Sequence, residues 1–397
     1  MDSEWHEAGA AGGGRPCAAS ARPQRSRGTI LVIAGTRPEC IKLAPVVREL
    51  RHRPGSHSLV VNSGQHPAVV RQTLEDFGIR CDVELPPLPP HPNLTTAARL
   101  LRRQLRAAIV DRQPAMVIVQ GDTLTAYCGA RAAHDAGAPV AHIEAGLRTD
   151  SVADPFPEEW FRRRIAGHAD LHFAPSRSAE QRLLTEGIPA SVVHRVGNTG
   201  IDALRALLES SGHAVDHLAA RVSNEVLVTL HRRENWDAKA EAVCDALIGL
   251  TEARPDLVVV FAVHPNPRIG SRVRRRLEGR RGFRLIAPMS YGDFIAAAAG
   301  AALIISDSGG IQEEAPHLGT PLLIPRANTE RPESIASGFA RLVPVDRQAI
   351  VAHALDLLAS PRCPGLAFDD DAPYGAGDAA VRIVDVLERV LADAAVA

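Results

Sequence analysis

From Thr29 onward the chain alternates short apolar runs with longer amphipathic segments. The first half carries TILVIAG, SLVVNSG, MVIVQGD, PVAHIEAG, DLHFAPS and VVHRVGN; the second carries EVLVTLH, LVVVFAVH, FRLIAP, ALIISDS, PLLIPR and RLVPV. Runs this short, rich in Val and Ile and spaced by helical patterns, predict βαβ units and an α/β fold with parallel sheets, because a strand covered on both faces has no polar side to alternate with. No fixed-period repeat is visible. A polar helical stretch from Ala203 to Glu225 separates the halves and marks the expected domain boundary. The expected organisation is a disordered tail over 1–28, a Rossmann-like domain over 29–204, a second, nucleotide-binding Rossmann-like domain over 205–378 and a C-terminal helix over 379–397.

The polar residues sit where such a fold would use them. In open α/β sheets ligands bind beyond the carboxyl ends of the strands. Here the apolar runs stop at Gly35-Thr36-Arg37, Gly64-Gln65-His66, Gly121-Asp122-Thr123, His142 to Glu144, His231 to Glu234, His264, and Asp307-Ser308-Gly309-Gly310. Two doubly wound sheets whose carboxyl edges face each other would line one cleft with all of these sets, a site for an elongated, anionic, polyhydroxylated ligand. Ser308, Gly309 and Gly310 fall where a strand turns into a helix, and unpaired N–H groups at the positive end of the helix dipole favour a phosphate there. A carboxylate one turn into that helix cannot help a phosphate but can accept from the two hydroxyls of a ribose, the role assigned to Glu314. An ordinary turn followed by a solvated Glu pair is the plain alternative.

Composition narrows the classes. With 397 residues and 45% hydrophobic content the chain exceeds one ordinary core and suits two domains of about 180 residues. A net charge of -1 gives no global pull toward nucleic acid or a membrane surface. The basic run from Ser271 to Arg284 reads as a solvated helix and turn. The six cysteines have neither zinc nor redox spacing, which suggests reduced thiols in a cytoplasmic protein. The first 28 residues have no apolar stretch of signal type. No window reaches the roughly 18 apolar residues of a spanning helix, so a soluble protein is expected.

Eight segments in fixed order then carry a resemblance: GTRPECIKLAP (35–45), QGDTLTA (120–126), HIEAGLRT (142–149), PFPEEWFRR (155–163), GNTGIDAL (197–204), TLHRREN (229–235), SDSGGIQEEAPHLGTP (306–321) and TERPE (329–333). The series resembles that of the UDP-N-acetylglucosamine 2-epimerase family, non-hydrolysing type, over nearly the whole chain from Thr29. The resemblance implies two doubly wound Rossmann-like domains facing across a cleft, as in glycosyltransferase-B folds, with the C-terminal helix crossing back to the first domain. It also implies a UDP-sugar substrate, a homodimer, and no nucleic-acid or membrane partner.

The chemistry implied is elimination of UDP from C1 as the C2 proton departs, giving a 2-acetamidoglucal, then re-addition with protonation from the opposite face. Asp122, Glu144 and Glu158 match the family's catalytic carboxylates. Arg37 and His231 match positions that contact the UDP phosphates, His231 being grouped with the catalytic set, together with Ser308, Gly309 and Gly310. Lys42 and Arg331 match charged positions near the nucleotide. No cofactor is required: Gly35-Thr36-Arg37-Pro38 is not a dinucleotide fingerprint, and His142, His231 and His264 lack the spacing of a metal site. Two departures from the family stand out, Phe161 where Asn usually precedes Arg162, and Pro92 to Thr96 where the activating-substrate segment usually reads Pro-Gly-Gln. A hydrolysing epimerase, a glycosyltransferase of the same fold and a catalytically silent nucleotide-sugar sensor remain open as alternatives.

Overall fold

The computed structural model describes residues 28–149, 151–152, 155–210, 223–232, 238–361 and 364–396. The expected tail and most of the expected boundary stretch lie outside them. The first half forms strands β1 (Thr29–Ala34), β2 (His57–Asn62), β3 (Val83–Glu84), β4 (Met116–Gln120), β5 (Val140–Ile143), β6 (Leu171–Ala174) and β7 (Val193–Arg195). The second forms β8 (Glu225–Thr229), β9 (Val258–Ala262), β10 (Phe283–Ile286), β11 (Leu303–Ser306), β12 (Leu322–Pro325) and β13 (Ala340–Val343). Helices intervene: α1 (Arg37–His52), α2 (Pro67–Asp76), α3 (Leu94–Arg112), α4 (Leu124–Asp135), α5 (Glu158–Ala166), α6 (Arg177–Thr185) and α7 (Thr199–Ser210) in the first half. The rest are α8 (Ala238–Ala253), α9 (Pro267–Leu277), α10 (Tyr291–Gly300), α11 (Gly309–Leu318), α12 (Pro332–Ala336), α13 (Arg347–Ala359) and α14 (Ala379–Val396).

All pairings among the described strands are parallel, in the orders β3-β2-β1-β4-β5-β6-β7 and β10-β9-β8-β11-β12-β13. The expected α/β architecture of two doubly wound sheets is therefore present. Only β3 had no counterpart among the apolar runs, because two residues leave no periodic signal. The central strands are buried on both faces, whereas the edge strands β3 and β10 are only half-buried. Alternate residues of β1 enter opposite cores: Ile30 and Val32 pack with Leu43, Val47 and Leu50 of α1, whereas Leu31 and Ile33 pack with Leu101, Leu105 and residues of α4.

Strand order reverses between β1 and β4 in one sheet and between β8 and β11 in the other. At such a switch point the connections leave in opposite directions and open a crevice at the carboxyl edge. The loops there carry Arg37, Asp122, His231 and Ser308, so topology alone singles out four of the residues under scrutiny.

Two connections tie the halves. Helix α7 runs through the expected division at 204/205, with Ala203, Leu204 and Leu208 in the core of the second sheet. Helix α14 returns to the first sheet, where Ile383, Val384 and Leu387 join the cluster around Leu43 and Leu50. Asp202 on α7 accepts from the N–H groups of Ala379 and Ala380 at 3.2 and 2.7 Å, capping α14 where it begins. The basic run begins on α9 and continues past it, and Arg272, Arg276 and Arg284 pair with Glu241, Asp245 and Glu225. No helix among the described residues is long and apolar enough to cross a membrane.

Candidate active site

In each domain a buried carboxylate joins the two loops at the switch point. In the first domain Glu39, one turn into α1, accepts from Gly35 N at 3.0 Å and Thr123 Oγ1 at 2.7 Å, joining the loop after β1 to the loop after β4. Burial pushes its carboxyl up to about 7. Gly35 is needed at this junction, since a Cβ would lie 1.9 Å from Thr125 Oγ1. In the second domain Asp307 accepts from His231 N at 2.8 Å and Arg232 N at 3.1 Å, fixing the loop after β8 to the loop after β11.

The candidate catalytic carboxylates then take distinct environments. Glu144 follows β5 in a left-handed conformation, φ 66°, rare for a residue with a side chain. It accepts from Lys42 Nζ at 2.8 Å, from Arg331 Nη2 of the other domain at 2.8 Å, and from Gln120 Nε2. Burial raises its pKa above the usual carboxylate value; Lys42 opposes the shift and Glu313 adds to it. Asp122 is held by Arg162 through Nε at 2.8 Å. Burial alone would push its carboxyl up, but Arg162 and Arg232 together bring it below the usual value. Glu158 opens α5 one turn before Arg162, and burial followed by the charge of Asp122 raises its pKa. Two neighbouring carboxylates are thus driven apart, one toward the ionised and one toward the protonated form.

Opposite them, Ser308 precedes α11, its side chain making no capping bond to the helix, and Gly309 begins it. A Cβ on Gly309 would lie 2.6 Å from Arg331 Nη1, so glycine lets that guanidinium sit against the helix N-terminus and add a cation to the positive end of the dipole. Gly310 faces open space. Lys42 Nζ also reaches Glu313 at 2.9 Å, and Arg331 Nε donates to Glu313 at 2.6 Å. The Glu pair is therefore not solvated: Glu313 is 1% and Glu314 6% exposed. Glu314 accepts from Tyr291 Oη at 2.9 Å, and burial raises its carboxyl to about 7, against the effect of that bond. Arg37 Nη2 crosses to Met289 O at 2.6 Å. His231 is exposed at the cleft beside His264, ring centroids 5.9 Å apart. Although part of the residue meets solvent, the protein mass around the cleft lowers its pKa, with Asp307 opposing and the nearby Arg37 reinforcing the shift.

The structure thus brings Lys42, Glu144 and Arg331 into direct contact, sets Ser308 and Gly309 beside Arg331, and places Arg37 near His231; Glu314 stands one side away on Tyr291. Sequence reasoning gave no role to Gln120, Arg162, Glu313 or Glu330. Arg162 carried the clearest signal, four residues after Glu158 and hence on the same helix face.

Known proteins place this architecture. The sequence profile of the UDP-N-acetylglucosamine 2-epimerase family matches residues 48–388. The chain belongs to the UDP-N-acetylglucosamine 2-epimerase family. It is an enzyme of the isomerase class. The UDP-N-acetylglucosamine 2-epimerase of Escherichia coli K12 is 38% identical over 370 residues, 91% of this chain and 98% of that protein. The crystal structure of the Neisseria meningitidis UDP-GlcNAc 2-epimerase bound to UDP-GlcNAc superposes with a TM-score of 0.85 at 34% identity, covering 91% of this chain and 100% of the other. The Staphylococcus aureus MnaA–UDP structure does so at 0.84 and 33% identity, covering 92% and 97%.

Both departures of this epimerase from the family pattern acquire local explanations. Phe161 is buried, stacked on Tyr127 at 5.1 Å between ring centroids and packed in the core behind the first sheet. Asn93, inside the Pro92 to Thr96 segment, caps α3 by accepting from Thr96 N at 2.8 Å. His142 donates through Nε2 to Gly121 O at 2.8 Å, and burial pushes its pKa down to about 3, so it is a neutral strut beneath the Asp122 loop.

Proposed function

We propose that this epimerase interconverts UDP-N-acetylglucosamine and UDP-N-acetylmannosamine without net hydrolysis. The observation that carries the reading is the meeting of Asp122, Glu144 and Glu158 with Arg331 and the start of α11 in one inter-domain cleft, in a fold whose Neisseria meningitidis relative was solved with UDP-GlcNAc bound. The diphosphate lies against the α11 N-terminus, with Arg37, His231 and Arg331 compensating the charge that develops as the C1–O bond breaks. Ionised Asp122 removes the C2 proton; the C2–H electrons form the C1–C2 double bond and expel UDP. Glu158, held toward its protonated form, returns a proton to C2 from the other face as a UDP oxygen re-forms the bond to C1. Glu144, fixed by Lys42 and Arg331, steadies the sugar carbon that carries changing charge.

Proton NMR of UDP-GlcNAc with the enzyme in deuterated water tests this. The C2 proton should wash out while UDP stays attached to the sugar in most turnovers. Stoichiometric release of UDP with free N-acetylmannosamine would replace the reading with a hydrolysing epimerase.

A second test concerns Glu314, proposed to accept from the ribose hydroxyls. Its folded carboxyl titrates near 7, and only the ionised form accepts from both hydroxyls. UDP binding should therefore release a proton, and affinity should rise with pH up to about 7 and level off above it, by at most about tenfold per pH unit on the acid side. Because the terminal phosphate of UDP also ionises in this range, the diagnostic quantity is the difference from Glu314→Gln. Calorimetry across pH should show the slope reduced in the variant; identical slopes would remove Glu314 from the ribose.

A further inference from the structure

Glu330 precedes α12 and is 2% exposed. It accepts from Arg331 Nη1 and Arg232 Nη2, and from Arg326 Nη1 at 3.1 Å, while Arg162 Nη2 of the first domain stands 3.6 Å away. Two of these guanidiniums continue to candidate catalytic carboxylates. Arg162 holds Asp122 and Arg331 holds Glu144, each at 2.8 Å. Stability does not call for such a cluster, since apolar packing often replaces buried ion pairs without loss. Each arginine is a rigid planar fork, however, and passes orientation from one carboxylate to the next.

We propose that Glu330 is a positioning residue: set against Arg162 when the two domains close, it fixes the guanidiniums of Arg162 and Arg331 and so aims Asp122 and Glu144 at the substrate. Separation of the domains would cost Arg162 its contact with Glu330 but leave it Asp122 and Glu159, and would cost Glu144 its contact with Arg331 but leave it Lys42. Closure thus changes the aim of both carboxylates while leaving each of them paired. The kinetic consequence rests on the epimerase reading; the geometric one does not.

The test uses the full chain as parent, Glu330→Gln, Glu330→Asp, Arg162→Lys and the double variant Glu330→Gln/Arg162→Lys. Glu330→Gln should lower kcat roughly 10- to 100-fold, the scale of a small misplacement of reacting groups. KM should stay within about threefold, because the start of α11, Arg37 and His231 are untouched and Arg331 keeps its contacts with Glu313 and Glu144. The double variant should be little worse than the poorer single one, since both break one chain of contacts. In small-angle scattering with UDP present, Glu330→Gln should retain a larger radius of gyration than the parent. A kcat near that of the parent, additive losses in the double variant, or parent-like compaction would overturn the inference. If Glu330→Gln melts at assay temperature, Glu330→Asp, which keeps the charge and shortens the reach, must show the same kcat-only loss. A parent that compacts with UDP but does not epimerise would remove the epimerase reading, and the scattering comparison would still decide the role of Glu330.

Discussion

Glu144→Gln is expected to lower turnover by at least about 10²-fold, the contribution typical of a preorganised group set against charge that develops in the transition state, while UDP affinity and the melting temperature stay close to those of the parent. The separation of effects follows from the contacts. Lys42 retains Glu313 at 2.9 Å, and Arg331 retains Glu313 at 2.6 Å together with Glu330, so removal of one charge leaves no cation stranded in the interior. The Gln side chain can still accept from one of them. What it cannot do is present a full negative charge beside C1 and C2 of the sugar. Steady-state kinetics with UDP-GlcNAc and calorimetry with UDP check the two halves independently. Turnover within tenfold of the parent would take Glu144 out of the chemistry and leave it as an inter-domain ion-pair partner.

Gly146→Ala is expected to cost the protein much of its stability. Gly146 has φ +89°, and an added Cβ would lie 2.2 Å from Ala179 O and 3.0 Å from Leu183 Cγ. The first neighbour is backbone of α6 and has no rotamer through which to retreat. Strain at positive φ and overpacking together should cost about 2 to 4 kcal/mol, read as a fall in the urea midpoint. Gly78 supplies the comparison, with φ +70° and nothing within 4 Å of a built Cβ, so Gly78→Ala should cost only about 1 kcal/mol. Equal losses at the two positions would show that the α6 contact is not what holds the Gly146 loop. Because Glu144 lies two residues upstream, a residual folded fraction of Gly146→Ala should also turn over poorly.

Much of this was legible along the chain because it is local. The period of the apolar runs fixed twelve strands and the parallel α/β class, since a strand buried on both faces can only be covered by helices. The residues at strand ends could be picked out before any fold was known, because crossing a sheet obliges each strand to end at the same edge, and Ser308 to Gly310 announced a helix start by composition alone. Their order along the chain carried the family.

Tertiary structure decided what those residues do to one another. Arg331 and Glu144 are 187 positions apart, and Asp122 and Arg162 are 40 apart, so no periodicity links them. Whether the Glu313-Glu314 pair was solvated or buried depended on packing of Lys42, Tyr291 and Arg331 against α11, and the structure buried it. Phe161 was a departure from the family pattern whose surroundings the sequence left open, and the turn of α5 puts it in the core against Tyr127. The physical reason is the same in each case. Hydrophobic period and turn chemistry act over a few residues and are written in the sequence, whereas the ionisation of a buried carboxylate is set by desolvation and by the nearest charges in space, which only the closed pair of domains supplies.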